Sequence, residues 1–209
     1  MDADRRVLFF GDSFVAGVGD PTARGWVGRV VAASFDAGLP LVAYNLGIRR
    51  ETSLEVAARW RDEARPRMRA AARYGVVFSF GVNDTTVEDG RLRVGPAATA
   101  DALGRVLDGA ARLALPALVV GPAPAGEPAQ DTRVGALSAA LRRVAAARGV
   151  PFVDVFADLR ADAAWTAEAA AGDGSHPGAG GYAALAGLVL AGGWLPWLRG
   201  HPSRQNPQI

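Results

Sequence analysis

The sequence predicts an α/β protein, a three-layer α/β/α sandwich built on a parallel sheet of about five strands. Five short apolar runs suit strands that are buried on both faces, as a parallel sheet requires. Longer segments with apolar residues three or four positions apart separate these runs and predict helices. The alternation of the two patterns is typical of this architecture. The runs are VLFFG (7–11), LVAYNLG (41–47), GVVFSFG (75–81), PALVVG (116–121) and VPFVDV (150–155).

The helix after the second run has a clear start and a clear interruption. Thr52 and Glu55, three residues apart, have the spacing of a capping box at a helix N-terminus. Pro66 is expected to kink or restart that helix, because proline lacks the N–H that a continuing helix needs. Further along, residues 87–94 (VEDGRLRV) place Asp-Gly between β-forming residues, which predicts a small hairpin near the site.

The later helices are predicted from their spacing and their ends. Helical periodicity covers residues 96–115 and 131–149, and the second segment closes at Gly149. The last helix is expected to begin at Pro177, since proline suits the first turn. Its apolar continuation, residues 181–198, is broken by glycines and a proline. We interpret that stretch as a core helix rather than a membrane span.

Length and charge bound the class of protein. The 209 residues suit a single domain, which we place at residues 1–198, followed by a polar tail at 199–209 that we expect to be flexible. Half of the residues are hydrophobic and 21% are charged, which is ordinary for a globular protein. The 23 basic residues are scattered among 21 acidic ones, so no nucleic-acid partner is predicted.

Residue types that are missing or rare exclude several chemistries. The sequence has no lysine, which excludes a Walker lysine, a Schiff-base lysine and a Ser-Lys dyad. It has no cysteine, so there is no disulfide, thiolate metal site or cysteine nucleophile. His176 and His201 are the only histidines, which argues against a histidine-rich metal site. The N-terminus reaches its first motif by residue 11, so we expect no signal peptide and a cytoplasmic protein.

The predicted site lies at one edge of the sheet. In open parallel sheets, ligands bind beyond the carboxyl ends of the strands, near the point where the strand order reverses. The ends of the predicted strands are therefore the candidates for the site. They carry Gly11-Asp12-Ser13, Asn45-Leu46-Gly47, Gly81-Val82-Asn83-Asp84, the loop from Gly121 and the segment after the fifth strand.

Ser13 is the candidate nucleophile. A serine becomes reactive when a base accepts its proton and when donors are positioned for the oxyanion. The candidate donors are the backbone N–H groups of Ser13 and Gly47 and the side-chain amide of Asn83. The alternative interpretations are a turn serine at 13, an ordinary post-strand glycine at 47, and turn residues at Asn83 and Asp84.

The candidate base is His176. It lies in the glycine-rich loop AGDGSHPGAGGY, whereas His201 lies in the polar tail. Asp173, three residues before His176, can turn back to the imidazole and fix which nitrogen carries the proton. Taken alone, His176 is equally well explained as a residue at the start of a helix.

Four segments together resemble the motifs of the SGNH, or GDSL, hydrolase family. They are FFGDSFVAG, NLGIRRET, FGVNDT and DGSHP, in the family's order and spread over nearly the whole chain. The resemblance implies a flavodoxin-like sandwich, hydrolysis of an ester or thioester through an acyl-enzyme, and no cofactor. It also implies a nucleophile at Ser13, oxyanion donors at Gly47 and Asn83, and an orienting carboxylate and base at Asp173 and His176.

The sequence departs from the family pattern in two places. Phe14 replaces the leucine of the family's name, a change expected to affect packing. Arg49 and Arg50 follow the glycine of the second motif, where related sequences often have small residues. Arginines such as Arg24, Arg49 and Arg50 are most often solvated, but we hypothesise that one of them contacts an anionic substrate group. Trp26 and Trp165 are interpreted as core residues rather than substrate stackers.

The leading expectation is a serine esterase or thioesterase that acts on small acyl groups, because the connections between motifs leave no obvious lid. A carbohydrate O-deacetylase or an acyltransferase would use the same site. A hypothesis of another class is a non-catalytic, flavodoxin-like module that binds a flavin or a nucleotide phosphate on the GDSFVAG loop. That alternative leaves Asp173 and His176 without a role. The sequence does not predict the oligomeric state.

Overall fold

The computed structural model describes residues 4–68 and 73–200. Five parallel strands form one sheet in the order β2-β1-β3-β6-β7, so the predicted α/β class is confirmed. A separate antiparallel hairpin is formed by β4 and β5. The strands are β1 (Arg5–Gly11), β2 (Val42–Gly47), β3 (Arg73–Ser79), β4 (Val87–Glu88), β5 (Arg91–Leu92), β6 (Ala117–Val120) and β7 (Phe152–Val153).

Helices connect the strands and cover both faces of the sheet. Short 3-10 turns follow α3, at Arg65–Arg67, and β3, at Asn83–Thr85. The helices are α1 (Ser13–Ala16), α2 (Gly25–Asp36), α3 (Ser53–Ala64), α4 (Pro96–Arg112), α5 (Pro128–Ala146), α6 (Phe156–Ala161), α7 (Ala163–Ala171), α8 (Ala179–Ala191) and α9 (Trp194–Arg199).

The interior strand β1 separates two hydrophobic cores. Successive side chains of a strand point to opposite faces, so Phe9 and Phe10 enter different cores. Phe9 packs against Trp26 with ring centroids 5.7 Å apart. On the other face, Phe10 lies against Trp60 at 6.3 Å. Burial of β1 on both faces accounts for its unbroken apolar run.

The strand order reverses at β1, which fixes where a crevice opens. The chain moves from β1 to β2 on one side and then returns to place β3 on the other side. In register, Gly11 at the end of β1 lies level with Gly47 of β2 and Ser79 of β3. The segments that follow β1 and β3 therefore lie side by side at the carboxyl edge of the sheet, where ligands bind in such folds.

Three local predictions are confirmed. Glu55 accepts hydrogen bonds from the backbone N–H and the hydroxyl of Thr52, both at 2.7 Å, as part of a capping box. Helix α3 ends just before Pro66, which lies in the 3-10 turn. The hairpin turns at Asp89 and Gly90, whose φ angles of 51° and 75° suit a tight hairpin turn.

Three other details differ from the sequence prediction. Strand β2 is not buried on both faces, since it lies at the edge of the sheet and Val42 is 46% exposed. The predicted strand 150–155 is reduced to Phe152–Val153, the other edge. The last predicted helix begins at Ala179 rather than Pro177 and is divided at Gly192-Gly193 into α8 and α9. The predicted tail lies outside the described residues from position 201 onward.

A close backbone approach at the end of β1 requires glycine at position 11. A Cβ atom there would lie 1.9 Å from the carbonyl oxygen of Ser79 and 2.5 Å from Cγ2 of Val15. Both contacts are far shorter than van der Waals distance. The strand end, and with it the position of Ser13, therefore depends on the absence of a side chain.

We expect Gly11→Ala to lower the free energy of unfolding by about 3 kcal/mol or more, because the backbone of β1 must shift. Urea denaturation measures this. Gly187→Ala is the matched control, since Gly187 is exposed in α8 and a methyl group there would meet no other segment of the protein within 4 Å. The control should gain about 0.5 to 1 kcal/mol from helix propensity. Equal stabilities for the two variants would contradict the packing argument.

Candidate active site

Ser13 is held at the start of α1, directly after β1. Asp12 caps the helix by accepting a hydrogen bond from the N–H of Phe14 at 3.0 Å. Ser13 is only 4% exposed, yet it lines a cavity of about 240 Å³ at the carboxyl edge of the sheet. Ser13 is thus held by the end of β1 and the capped turn of α1, at a position that borders the cavity.

The structure brings Ser13, His176 and Asp173 into one hydrogen-bonded series. Ser13 Oγ lies 2.7 Å from Nε2 of His176, and Nδ1 of His176 lies 2.7 Å from Oδ2 of Asp173. With the imidazole proton on Nδ1, the ring donates to the carboxylate and accepts from the serine hydroxyl. A base in contact with a hydroxyl and an orienting carboxylate is the arrangement that activates a serine. His201 lies outside the described residues.

The loop that carries His176 is fixed from several directions. The other oxygen of Asp173 accepts from the backbone N–H groups of Ser175 and His176, at 3.1 and 2.9 Å. The ring of Phe14 lies against the imidazole with centroids 5.0 Å apart, and against Trp165 at 5.7 Å. Phe14 thus holds the imidazole, in keeping with the packing role expected for this position.

Asp173 is ionised over the range in which histidines titrate. Burial opposes its charge, but hydrogen bonds from His176 and Ser175 outweigh that cost and lower the pKa of Asp173 to about 2. The guanidinium of Arg49 also approaches Oδ2 of Asp173, at 3.5 Å. A carboxylate in this state can stabilise an imidazolium without taking its proton.

Asn83 lies in the 3-10 turn that follows β3. Its side-chain amide nitrogen donates to the carbonyl oxygen of Glu51 at 3.0 Å, which fixes the orientation of the carboxamide. An amide nitrogen carries two hydrogens, so one remains for a further acceptor. Asn83 lines the same cavity as Ser13 and His176.

Gly47 does not line this cavity, although its sequence position made it a candidate donor. Its N–H donates to Oδ1 of Asn45 at 3.1 Å. A Cβ at position 47 would lie 2.3 Å from the backbone nitrogen of Ala16, so the glycine is explained by the packing of α1 against β2. From the same loop it is Arg50 that lines the cavity, with a left-handed φ of 69°.

Two buried carboxylates hold the surrounding segments. Asp84, fully buried, accepts hydrogen bonds from the backbone and hydroxyl of Ser53 and from the hydroxyl of Thr99. It thereby joins the turn of Asn83 to α3 and α4. Asp12 has one oxygen without a hydrogen-bond partner among the described residues, and burial raises its pKa to about 7. The hydrogen bonds of Asp84 and Asp12 therefore hold the backbone around the site.

Some residues singled out from the sequence lie away from the cavity, and some residues that line the cavity were not predicted. Trp26 and Trp165 are 0% and 2% exposed and belong to the core, as interpreted from the sequence. Arg24 is exposed and does not line the cavity. Arg93 and Gln130 do line it. The hairpin that carries Arg93 was expected near the site, but no motif indicated either residue.

Within the described residues, no group of three or more His, Cys, Asp or Glu side chains lies close enough to hold a metal ion. In the same part of the chain, every helix is too short or too polar to cross a membrane.

A three-layer sandwich with a hydrogen-bonded serine, histidine and aspartate at the carboxyl edge of its sheet is typical of hydrolases. The model of the GDSL-like lipase/acylhydrolase family matches residues 9–184 of the sequence. The chain therefore belongs to that family. This membership supports hydrolase activity. No curated protein matches the sequence significantly.

Solved structures support the fold. A lipase/acylhydrolase from Enterococcus faecalis superposes with a TM-score of 0.75 and 21% identity, over 97% of this chain and 100% of that one. An acetylxylan esterase from Geobacillus stearothermophilus has a TM-score of 0.74 and 20% identity, over 94% and 97% of the two chains. An alpha/beta hydrolase from the metagenome of Lake Arreo has a TM-score of 0.70 and 23% identity, over 92% of this chain and 95% of that one.

The low pKa of Asp173 predicts the shape of the acid side of the pH–rate profile. Because the pKa of Asp173 is lowered to about 2, its carboxylate stays charged throughout the mildly acidic range. The logarithm of kcat/KM for p-nitrophenyl acetate should fall with a slope of one as pH decreases, since a single protonation removes the base. A slope of two above about pH 4 would show that a second group must also be deprotonated.

Proposed function

We propose that this protein is a serine esterase that hydrolyses esters of small acyl groups through an acyl-enzyme, with Ser13 as nucleophile. The observation that carries the proposal is the pair of 2.7 Å contacts that link Ser13 to His176 and His176 to Asp173. The alternative of a non-catalytic binding module gives these contacts no role.

In the first half-reaction, Ser13 Oγ attacks the ester carbonyl carbon while His176 Nε2 accepts the hydroxyl proton. The carbonyl oxygen takes up the electron pair and becomes the oxyanion. The tetrahedral intermediate then collapses, the bond to the leaving oxygen breaks, and His176 returns its proton to that oxygen. The products are the free alcohol and an acyl-Ser13 ester.

In the second half-reaction, water takes the place of the alcohol. His176 accepts a proton from the water as its oxygen attacks the acyl carbon. Collapse of the second intermediate breaks the bond to Ser13 Oγ, and the imidazolium returns the proton to that oxygen. The carboxylic acid leaves and the free serine is restored.

The oxyanion needs donors that are already in place. We assign two of them to the backbone N–H of Ser13 and the side-chain amide of Asn83, which line one cavity. For the third donor, Arg50 is favoured over Gly47. The Gly47 N–H is occupied by Asn45, whereas Arg50 lines the cavity in a glycine-like backbone conformation.

The cavity size favours small substrates. About 240 Å³ accommodates an acetyl or butyryl ester more readily than a long acyl chain. One similar structure is named as an acetylxylan esterase, so removal of acetyl groups from a carbohydrate is the second candidate function. Thioester hydrolysis and acyl transfer to an alcohol use the same residues, and a screen of acyl donors and acceptors distinguishes them.

Ser13→Ala should reduce kcat for p-nitrophenyl acetate by a factor of about 10⁶, because the three residues act as one unit. A fluorophosphonate should label the native protein at Ser13, as mapped by mass spectrometry of its peptides. Ser175→Ala, which alters another serine of the cavity lining, should retain the label. Full activity in Ser13→Ala would refute the nucleophile assignment.

Asn83→Ala should lower kcat by roughly 10² to 10³, equivalent to about 3 to 4 kcal/mol of oxyanion stabilisation, with a smaller effect on KM. Asn45→Ala is the matched control. Asn45 lies in the edge strand β2 and also bonds backbone groups, at Val15 and Gly47, but it does not line the cavity. The control should lose less than about tenfold. Equal losses in both variants would assign Asn83 a structural role only.

A further inference from the structure

The cavity beside Ser13 carries an excess of positive charge. Among the described residues that line it, there are three arginines, Arg49, Arg50 and Arg93, and one carboxylate, Asp173. A neutral acetyl ester needs no such charge for binding. The catalytic residues alone therefore do not account for three arginines in the lining.

Two of these arginines have other partners. The guanidinium of Arg50 donates to Glu88 at 3.0 Å, which lies on the hairpin outside the cavity lining. Arg93 donates to the carbonyl oxygen of Arg50 at 2.8 Å and also approaches Glu55 and Glu88, at 3.9 and 3.8 Å. The hydrogen bonds to Glu88 and to the Arg50 carbonyl hold the loop around position 50, so the side chains of both residues are already engaged within the protein.

Arg49 differs from them. Its one ion pair among the described residues is the 3.5 Å approach to Asp173, and its side chain is 60% exposed. Asp173 already accepts hydrogen bonds from the imidazole of His176 and from two backbone N–H groups. Arg49 thus contributes a guanidinium at the cavity that makes no hydrogen bond to a described residue, whereas Arg50 and Arg93 each make one.

We propose that Arg49 binds an anionic group, such as a carboxylate, on the leaving-group side of the ester substrate. This inference rests on the proposed esterase function and names the class of substrate: an ester of an alcohol that carries a negative charge. The planar guanidinium suits a carboxylate or a phosphate, because it can donate two parallel hydrogen bonds.

The geometry favours the leaving group over the acyl group. His176 must protonate the leaving oxygen, so that part of the ester lies on the histidine side of Ser13. Arg49 lies on the same side, since it contacts the carboxylate that orients His176. The oxyanion, by contrast, is directed toward Asn83.

The test compares charged and neutral leaving groups with a common acetyl group. The substrates are p-acetoxybenzoate, which is anionic, and its neutral methyl ester. The measured quantity is the ratio of their kcat/KM values in the native protein and in the variants R49Q, R49K and R24Q. Arg24 is the matched control, an exposed arginine that does not line the cavity.

R49Q should lower the ratio about 10- to 100-fold, because it removes a charged hydrogen-bond donor from the anion. R49K should retain a larger part of the preference than R49Q, and R24Q should leave the ratio within about twofold. As a second readout, p-hydroxybenzoate should inhibit hydrolysis of the neutral ester competitively, and this inhibition should weaken in R49Q. A ratio that R49Q leaves unchanged would overturn the inference.

A parallel comparison tests the side on which the anion binds. With p-nitrophenyl hydrogen glutarate and p-nitrophenyl pentanoate, the charge is on the acyl group, and R49Q should change their ratio much less. A larger change here than with the acetoxybenzoates would overturn the placement on the leaving group. Failure of the proposed function is distinguishable, because then neither neutral ester would show hydrolysis that depends on Ser13.

Discussion

The contact between Ser13 and His176 depends on how the C-terminal helix α8 packs against α2 and the loop that precedes α2. The two residues are 163 positions apart, yet their side chains meet at 2.7 Å. Helix α8 packs on α2, and the hydroxyl of Tyr182 donates to the carbonyl oxygen of Val18 at 2.7 Å. Arg29 of α2 donates to the carbonyl oxygen of Ala179 at 3.1 Å. These contacts fix the loop that carries His176 relative to the turn that carries Ser13.

Carboxylates near the site differ in charge because they differ in hydrogen bonding. Asp173 accepts several hydrogen bonds at the cavity, and its pKa is held at about 2. Asp12 is completely buried with one oxygen unpartnered among the described residues, and burial raises its pKa to about 7. The charged carboxylate is therefore the one that contacts the imidazole, while the neighbour that caps α1 contributes less negative charge to the nucleophile at neutral pH.

The sequence predicted the fold class, the hairpin and the candidate residues of the site, because each depends on local patterns or short motifs. It did not distinguish edge strands from central ones, since the apolar run of β2 resembles that of β1 although Val42 is 46% exposed. Neighbours across the sheet decide that difference. The sequence also predicted Gly47 of the second motif as an oxyanion donor. Its close packing against Ala16 and the hydrogen bond from its N–H to Asn45 do not favour that role. Which backbone groups of a loop face a cavity is decided by tertiary contacts that no spacing reveals.

Arg49 and Arg50 have different roles within one loop. A left-handed backbone costs a non-glycine residue about 1 to 2 kcal/mol, so Arg50 at φ 69° needs compensation. Arg93 supplies part of it through the Arg50 carbonyl, and Glu88 through the Arg50 guanidinium. The side chain of Arg50 thus holds the loop at the edge of the cavity that Arg50 lines. Arg49, with neither a strained backbone nor a close carboxylate of its own, is the arginine of this pair that can exchange its weak contact with Asp173 for a ligand.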